Sequence, residues 1–377
     1  MMMLRRCPPL LTALAFGAAC SDAGPTGPAP AAGLTAASTT APATAAQRIT
    51  VMTRNLYIGA DVDLVIGALA SPDPNDDFPA LFAAIETLQK TAFPARAEAI
   101  ADEIARARPH VVGLQEVEDL QINLTALGLP VDITLPFLPI LQAALAGRGL
   151  HYTVAGEVTN ITASPFPGIS LIDHDAILVD ADRVTVAPAV VAQNYTFNIG
   201  VVAPGVELKR GWVQIAATID GTPVTIASTH LESGNAGGLA ALRAAQATEL
   251  LGSVGTAFPA ILLGDFNDVP GSPTHQIITG AGFNDAWAAL RPGARGFTCC
   301  EVEDLSNQVA VLNQRIDYVF TRGIGGPHGN LLGQVTIVGD QPGDRVAGPA
   351  YPIWPSDHAG VIAGLLIPAG TGVAATH

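Results

Sequence analysis

Short apolar runs that end in a polar or charged side chain constrain the fold of this chain more than any other feature of its sequence. Four segments have this form: Leu114-Gln115-Glu116, Thr229-His230-Leu231, Leu263-Gly264-Asp265-Phe266-Asn267 and Ser356-Asp357-His358. A strand buried on both faces has no solvation reason to end in a carboxylate or an imidazole, and a strand end holds a side chain rigidly. We therefore predict that these segments, with Asn55 and Asp317, form one functional site at the ends of buried strands.

The apolar runs alternate with amphipathic helical patterns, which predicts a mixed α/β protein built on sheets. Helices are expected at residues 96–107, 138–146 and 238–251. Strands are expected at residues 49–55, 111–116, 152–158, 176–179, 184–191, 212–219, 223–229, 260–263, 315–320, 335–338 and 360–367. The pair Asp220-Gly221 is typical of the primed turn of a β-hairpin and would join the strands at 212–219 and 223–229.

The charge balance argues against proteins that grip a polyanion along its length. The 377 residues include 33 acidic and 18 basic side chains, a formal net charge of −15, and only Lys90 and Lys209 are lysines. Histone-like and repressor-like proteins neutralise many phosphates with Lys and Arg, and this chain has no run of such residues. An enzyme that holds one phosphate with a few arginines and a metal fits the composition, because a local site can oppose the sign of the whole surface.

The first 47 residues differ in composition from the rest. Arg5 and Arg6 precede a short apolar run at residues 8–16, and small residues lead to Cys20. This pattern is typical of an export signal, and small residues before a cysteine resemble a bacterial lipoprotein signal. We interpret residues 1–20 as the signal, residues 21–47 as an Ala/Pro/Thr-rich linker and residues 48–377 as a single globular domain. The protein is then either a cell-envelope lipoprotein tethered to the membrane through lipidated Cys20 or an ordinary secreted protein.

Six motifs carry a resemblance to a known superfamily. In chain order they are Arg54-Asn55-Leu56, Gln115-Glu116, Thr229-His230-Leu231, Gly264-Asp265-Phe266-Asn267, Arg315-Ile316-Asp317-Tyr318 and Ser356-Asp357-His358. Their order is similar to that of the endonuclease/exonuclease/phosphatase superfamily, which includes deoxyribonucleases, sphingomyelinases and inositol-polyphosphate phosphatases. The resemblance covers roughly residues 48 to 367. It implies an α/β fold, a four-layer sandwich of two facing mixed β-sheets flanked by helices.

The resemblance also implies a divalent metal. Glu116 offers a hard oxygen ligand suited to Mg²⁺ or Mn²⁺, which keep several waters and need few protein carboxylates. By the resemblance, Asn55 and Asp357 complete the metal site. Asp61 and Asp63 follow Asn55 closely, but their spacing does not match the first motif, so we interpret them as ordinary surface carboxylates.

The remaining motif residues suit the hydrolysis of a phosphoester, which requires an oriented water and stabilised phosphoryl oxygens. Asp265 can orient or deprotonate the water, and Asn267 can hold the water or a phosphoryl oxygen. His230 and His358 can donate to phosphoryl oxygens or transfer protons if a carboxylate fixes each ring. By the resemblance, Asp317 is the partner of His358.

The sequence does not determine which residues contact the substrate or which residue supports His230. Arg210 and Arg243 are the basic residues nearest the histidine motif, and each could touch a substrate phosphate or be a solvated surface residue. Asp173 and Asp175 precede an apolar run, and either could support His230. Of these two, Asp175 is also a candidate for substrate binding.

The adjacent residues Cys299 and Cys300 stand apart from the motifs. An oxidising location would permit a disulfide between them, although the eight-membered ring needs backbone strain. Two buried free thiols are the alternative.

The sequence therefore predicts a metal-dependent phosphoric ester hydrolase, a phosphodiesterase or phosphatase acting on a lipid or small phosphoester. A secreted endonuclease or deoxyribonuclease with the same site is the alternative, and a binding lipoprotein without catalysis is the third hypothesis. Substrate choice in such a fold resides in loops that short motifs do not describe. We expect a monomer.

Overall fold

β-Strands dominate the computed structural model of the chain, which describes residues 47–234, 236–325 and 330–367. The strands are β1 (Gln47–Asn55), β2 (Val111–Asn123), β3 (Asp132–Pro136), β4 (Tyr152–Ala163), β5 (Ile169–Asp180), β6 (Val184–Val186), β7 (Val191–Asn194), β8 (Gly200–Ala203), β9 (Val206–Leu208), β10 (Gly211–Ile219), β11 (Thr222–His230), β12 (Ala260–Asp265), β13 (Asn284–Asp285), β14 (Asp317–Arg322), β15 (Gly333–Val338), β16 (Val346–Ala347), β17 (Pro352–Ile353) and β18 (Gly360–Ile367). The α-helices are α1 (Val62–Leu69), α2 (Asp77–Thr91), α3 (Phe93–Ala107), α4 (Phe137–Gly147), α5 (Leu239–Val254), α6 (Pro273–Gly280) and α7 (Ala286–Leu290).

The strands form two large mixed sheets. The first has the order β15-β18-β1-β2-β5-β4-β9-β8, with β3 added to β2, and the second has the order β13-β14-β12-β11-β10-β6, with β7 added to β10. β1 is parallel to β2 and β11 is parallel to β12, whereas their other neighbours run antiparallel. The hairpin of β10 and β11 turns at Asp220 and Gly221, whose φ angles of 46° and 85° suit the expected primed turn.

Three apolar cores stack the sheets and helices into four layers. Ile49 of β1 and Leu263 of β12 belong to the core between the two sheets. Met52 of β1 packs on the opposite face of the first sheet with residues of α3 and α4, and Leu262 of β12 packs with residues of α5 and α6. Since successive strand residues point to opposite faces, a strand covered on both sides must be apolar throughout. The expected four-layer α/β sandwich is confirmed.

Several elements differ from the sequence prediction. Residues 184–191 form two short strands, β6 and β7, because Pro188 between them has no N–H to donate to a sheet. The strand expected at residues 111–116 continues to Asn123 beyond a bulge. The helices α1 and α2 were not predicted. Gln47 belongs to β1 and not to the linker.

The interpretations of residues 1–20 and 21–46 lie outside the described residues. Among the residues that the structure describes, none of the helices has the length and hydropathy needed to span a membrane.

Candidate active site

Strand register brings three motif residues together at one edge of the second sheet. His230 ends β11 and lies opposite Asp265 at the end of the parallel strand β12. Asp265 in turn lies opposite Asp317, the first residue of the antiparallel strand β14. Residues directly opposite one another on neighbouring strands project to the same face. The three side chains therefore form a row, and each is buried.

Asn55 links this row to the first sheet. It ends β1, and its Nδ2 donates to Glu116 Oε1 at 2.8 Å and to Asp265 Oδ2 at 3.3 Å. Its Oδ1 accepts from the backbone N–H of Tyr57 at 2.9 Å. The amide thus holds two carboxylates from different sheets in one place.

A β-bulge presents Glu116 to this site. The pairing of β2 with β5 shifts register between Leu114 and Val117, and Glu116 has a φ of 54°, in the left-handed region that non-glycine residues rarely adopt. Bulges re-aim side chains beside functional sites. Glu116 Oε2 accepts from the N–H of Ile58 at 3.0 Å. Burial, followed by the charge of Asp357, raises the pKa of the Glu116 carboxyl.

His358 is held by Asp317, as the family resemblance implied. The His358 Nδ1 to Asp317 Oδ2 distance is 2.9 Å, and the His358 backbone N–H donates to Ser356 Oγ at 3.1 Å. Burial opposes a charged ring here, but the carboxylates of Asp317, Asp357 and Asp265 raise the pKa of His358 well above its usual value. These carboxylates favour the protonated ring, in which Nδ1 donates to Asp317.

His230 has a different partner from the one expected. Arg210 Nη1 lies 3.1 Å from His230 Nδ1, and His230 Nε2 lies 3.0 Å from Asn267 Nδ2. A guanidinium can only donate, so Nδ1 accepts from Arg210, and the Asn267 amide nitrogen, which donates to the Leu231 carbonyl at 3.0 Å, brings a second donor to Nε2. Burial and the charges of Arg210 and His358 lower the pKa of His230 well below its usual value. Neither Asp173 nor Asp175 hydrogen-bonds this ring, and the expectation that one of them supports it is wrong.

Asp265 lies at the centre of these contacts. Its Oδ1 accepts from the N–H of Asn267 at 2.9 Å, and its Oδ2 lies 3.6 Å from His230 Nε2. Burial, followed by the charge of Asp317, raises the pKa of the Asp265 carboxyl to about 7. A carboxyl with such a pKa can take up and release a proton near neutrality.

Six of the motif residues line a cavity of about 350 Å³ with a strongly acidic wall: Glu116, His230, Asp265, Asn267, Asp357 and His358. Its ten acidic residues are Asp61, Asp63, Glu116, Glu118, Asp173, Glu232, Asp265, Glu301, Glu303 and Asp357. Among the residues in the described ranges, Arg210 is the only Lys or Arg on this wall. Asp61, which caps α1 by accepting from the N–H of Leu64, and the exposed Asp63 thus line the cavity while keeping the surface positions expected for them. In the sequence, the only indication that they belong to the cavity was that both closely follow Asn55. Spacing alone does not distinguish such residues from residues with no role in the site.

Sequence reasoning missed the carboxylate of Glu118. Glu118 on β2 lies directly opposite Asp173 on β5, and Asp175 is buried two residues further along β5. Glu118 Oε2 and both carboxylate oxygens of each aspartate accept no hydrogen bond from a described residue. Burial raises the pKa of Asp173 to about 6 against the opposing charge of Arg210, and raises those of Glu118 and Asp175 well above the usual range. Asp175 is not on the cavity wall.

The two arginines proposed for substrate binding take different positions. Arg210 is buried on the cavity wall, with its Nε 3.5 Å from Glu232 Oε1. Arg243 is buried in α5 away from that wall and donates to the backbone carbonyls of Glu232, at 3.2 Å, and Gly234, at 2.6 Å. The structure thus gives Arg243 a structural position in place of the expected substrate contact.

The donor set fits a hard divalent cation. Glu116 and Asp357 both line the cavity, and the charge of Asp357 raises the pKa of Glu116. From the described residues, Asp357 accepts a single long hydrogen bond, from Ser356 Oγ at 3.4 Å. Two carboxylates on the wall of one cavity supply the kind of oxygen ligands that Mg²⁺ and related ions prefer. Asp265, Asp317 and His358 also place ligand atoms within 4.8 Å of one another.

Cys299 and Cys300 are joined by a disulfide on the wall of the same cavity. Cys300 Sγ lies 3.9 Å from His358 Nε2. Of the two states left open by the sequence, the structure has the bonded one.

Reduction of this disulfide is expected to lower activity by about five-fold, the equivalent of one hydrogen bond of ~1 kcal/mol. A free Cys300 thiol could bond to His358 Nε2 and compete with substrate for that nitrogen. Turnover measured with and without a dithiol reductant tests this, and the double variant Cys299→Ser/Cys300→Ser should be insensitive to reductant. Equal rates for the oxidised and reduced wild type would contradict the expectation.

The fold and the site together define a class, the four-layer α/β sandwiches that carry a buried carboxylate, histidine and asparagine site where the strands end. A sequence model of the Endonuclease/Exonuclease/phosphatase family matches residues 85–358. The chain belongs to this family, whose members are phosphoester hydrolases. The expected membership is confirmed. No protein in a collection of curated sequences matches the chain.

Solved structures of the same fold resemble the chain at low sequence identity. An endonuclease/exonuclease/phosphatase from Beutenbergia cavernae is 18% identical with a TM-score of 0.54, covering 87% of this chain and 73% of that one. A mannosyl-6-phosphatase from Bacteroides thetaiotaomicron is 17% identical with a TM-score of 0.52, covering 84% and 99%. A family protein from Leptotrichia buccalis is 16% identical with a TM-score of 0.52, again covering 84% and 99%. At this identity the likeness shows the fold alone.

Proposed function

We propose that this protein is a Mg²⁺- or Mn²⁺-dependent phosphoesterase that cleaves a lipid or small phosphoester by in-line attack of water. The observation that carries the proposal is the convergence of Asp265 with Asn55 and Glu116 from the first sheet and with His230 and Asp317 from the second. An acid–base carboxyl, an imidazole held by a carboxylate and a candidate cation site in one cavity are the parts that phosphoester hydrolysis needs.

Glu116 and Asp357 would hold the metal, which would neutralise charge on the phosphoryl oxygens and the leaving oxygen. Asn55 orients Glu116 through its Nδ2, and any ligand role of its own would use Oδ1, which here accepts from Tyr57. The absence of free thiolate ligands in this donor set favours Mg²⁺ or Mn²⁺ over softer metals.

Different side chains of the site would carry out the separate steps of proton transfer and hydrogen bonding. Asp265, with its pKa of about 7, is suited to orient the attacking water and accept its proton. His358, whose Nδ1 is held by Asp317, presents Nε2 to a phosphoryl oxygen or leaving group. The pKa of His230 is lowered by burial and its Nδ1 accepts from Arg210, so this ring is poorly suited to act as an acid. Asn267 adds an amide beside it.

The acidity of the wall favours a small or lipid ester over DNA. Ten Asp and Glu side chains face one Arg on the cavity wall. A duplex needs several cationic contacts with its phosphates, and this surface offers few. A single phosphoester needs only the metal and one or two donors.

A panel of substrates tests this preference. The purified protein should hydrolyse bis-p-nitrophenyl phosphate or a phospholipid with little dependence on salt. With plasmid DNA, any activity should also show a shallow salt slope, since each phosphate contact contributes a log–log slope of about −0.9. Steep salt dependence with efficient nicking and no turnover of small or lipid esters would make the protein a nuclease. No turnover of any member of the panel would leave it a binding protein.

A further inference from the structure

A second cavity lies beside the catalytic one and has the opposite chemistry. It measures about 100 Å³ and is lined mainly by aliphatic side chains of α1, α2, β2 and β5, among them Leu69, Ile85, Leu120 and Leu171. In the described part of the chain, Glu118 is its only charged lining residue. Protein interiors are close-packed, and an apolar cavity of this size stays dry and accepts an apolar guest.

The two cavities share a wall. Ile58, Ala60, Val62, Ile66 and Ile161, together with Glu118, line both of them. The two cavities therefore adjoin at these side chains. A group attached to a phosphoester in the catalytic cavity would lie next to the apolar cavity. The polar boundary residue is Glu118, whose carboxylate faces Asp173 on the neighbouring strand.

We propose that the apolar cavity binds an alkyl or acyl group of the substrate, which makes the substrate an amphiphilic phosphoester. The inference rests on the proposed function, since it assigns the phosphate end to the catalytic cavity. Desolvation favours this orientation. An alkyl chain gains by leaving water, whereas a sugar or a second phosphate would lose its hydration against a wall with no polar partner except Glu118.

The volume of the apolar cavity limits the length of the alkyl chain that it can hold. A cavity of about 150 Å³ holds benzene, so a space of about 100 Å³ holds a chain of about four carbons. Each buried methylene contributes about 0.8 kcal/mol, or a factor of about four in affinity. Affinity for the substrate should therefore rise with each of the first few carbons of the chain and then stay constant.

A homologous series of p-nitrophenyl alkyl phosphodiesters, from methyl to octyl, tests the proposal on the full-length protein. We expect kcat/KM to rise by about four-fold per methylene up to butyl and then to level off. The readout is the butyl-to-methyl ratio within one preparation, which does not depend on the fraction of folded enzyme. Ala84→Leu on α2 fills the cavity and should bring the ratio close to one, whereas Ala83→Leu, at the exposed neighbouring position, should preserve the wild-type ratio.

A second variant covers the case in which Ala84→Leu does not fold. Leu69→Ala enlarges the cavity and should move the plateau to a chain about two to three carbons longer. The inference would be overturned if kcat/KM of the wild type did not change along the series, or if Ala84→Leu left the rise in kcat/KM unchanged. In either case, hydrolysis of the methyl ester would still support the proposed function. Failure to hydrolyse any ester, including the methyl ester, would instead count against the proposed function.

Discussion

Asp265→Asn is expected to lower kcat on a phosphodiester by about 10²- to 10⁴-fold, the usual contribution of a general acid–base group. Asparagine keeps the shape of the side chain and an oxygen that can accept from the N–H of Asn267. It cannot take a proton from water, so the loss should appear in kcat more than in KM. Steady-state kinetics on bis-p-nitrophenyl phosphate measure both constants.

Asp285→Asn is the matched control for this variant. Asp285 is also a buried aspartate of the second sheet, but its Oδ2 lies 2.8 Å from Arg315 Nη1 and its Oδ1 accepts from the N–H of Ala288 at the start of α7. We expect Asp285→Asn to lower the melting temperature and leave kcat within a few-fold of wild type. Equal losses of kcat in the two variants would show that Asp265 acts through the fold and not through proton transfer.

Glu116→Gln is expected to reduce activity sharply and to raise the metal concentration needed for half-maximal activity by about 10- to 100-fold or more. Glutamine has a single side-chain oxygen, so it can accept from Asn55 Nδ2 or from the N–H of Ile58 but not from both, as the two oxygens of Glu116 do. The substitution also removes the charge of the carboxylate that we propose as the main hard ligand. Activity titrated with Mn²⁺, together with direct Mn²⁺ binding, measures the shift.

Glu303→Gln serves as its control, because Glu303 lines the same cavity but is exposed. We expect it to titrate like the wild type. An unchanged metal requirement in Glu116→Gln, or an equal shift in both variants, would mean that Glu116 is not the metal ligand.

Several motif residues could be assembled from the sequence because they end or begin a buried strand, as His230, Asp265 and Asp317 do. The alternation that predicts β11, β12 and β14 also places His230, Asp265 and Asp317 at one edge once the register is known. The pairing of Asp317 with His358 came from the family resemblance, and the structure shows it at 2.9 Å.

The partner of His230 could not be predicted in the same way. Arg210 immediately precedes β10, twenty residues before His230, and only the pairing of β10 with β11 brings the two together. An aspartate was the natural expectation because a carboxylate commonly orients a histidine. No periodicity in the sequence distinguishes a cationic partner from an anionic one.

The short helix α1 and the extension of β2 were missed for related reasons. α1 is an eight-residue apolar stretch, and periodicity cannot separate a run of this length from a buried strand. The bulge at Glu116 interrupts the two-residue alternation, so the sequence pattern stops at a position where β2 only changes register. Both elements line the apolar cavity, which for this reason has no counterpart in the sequence prediction.

Hydrolysis of bis-p-nitrophenyl phosphate by the wild-type protein, before and after exhaustive chelation, tests the proposed metal-dependent phosphoesterase most directly. We expect chelation to abolish turnover and added Mg²⁺ or Mn²⁺ to restore it, since Glu116 and Asp357 present a hard oxygen site beside Asp265. Full activity in the chelated protein, with no gain on adding either ion, would contradict the proposed mechanism.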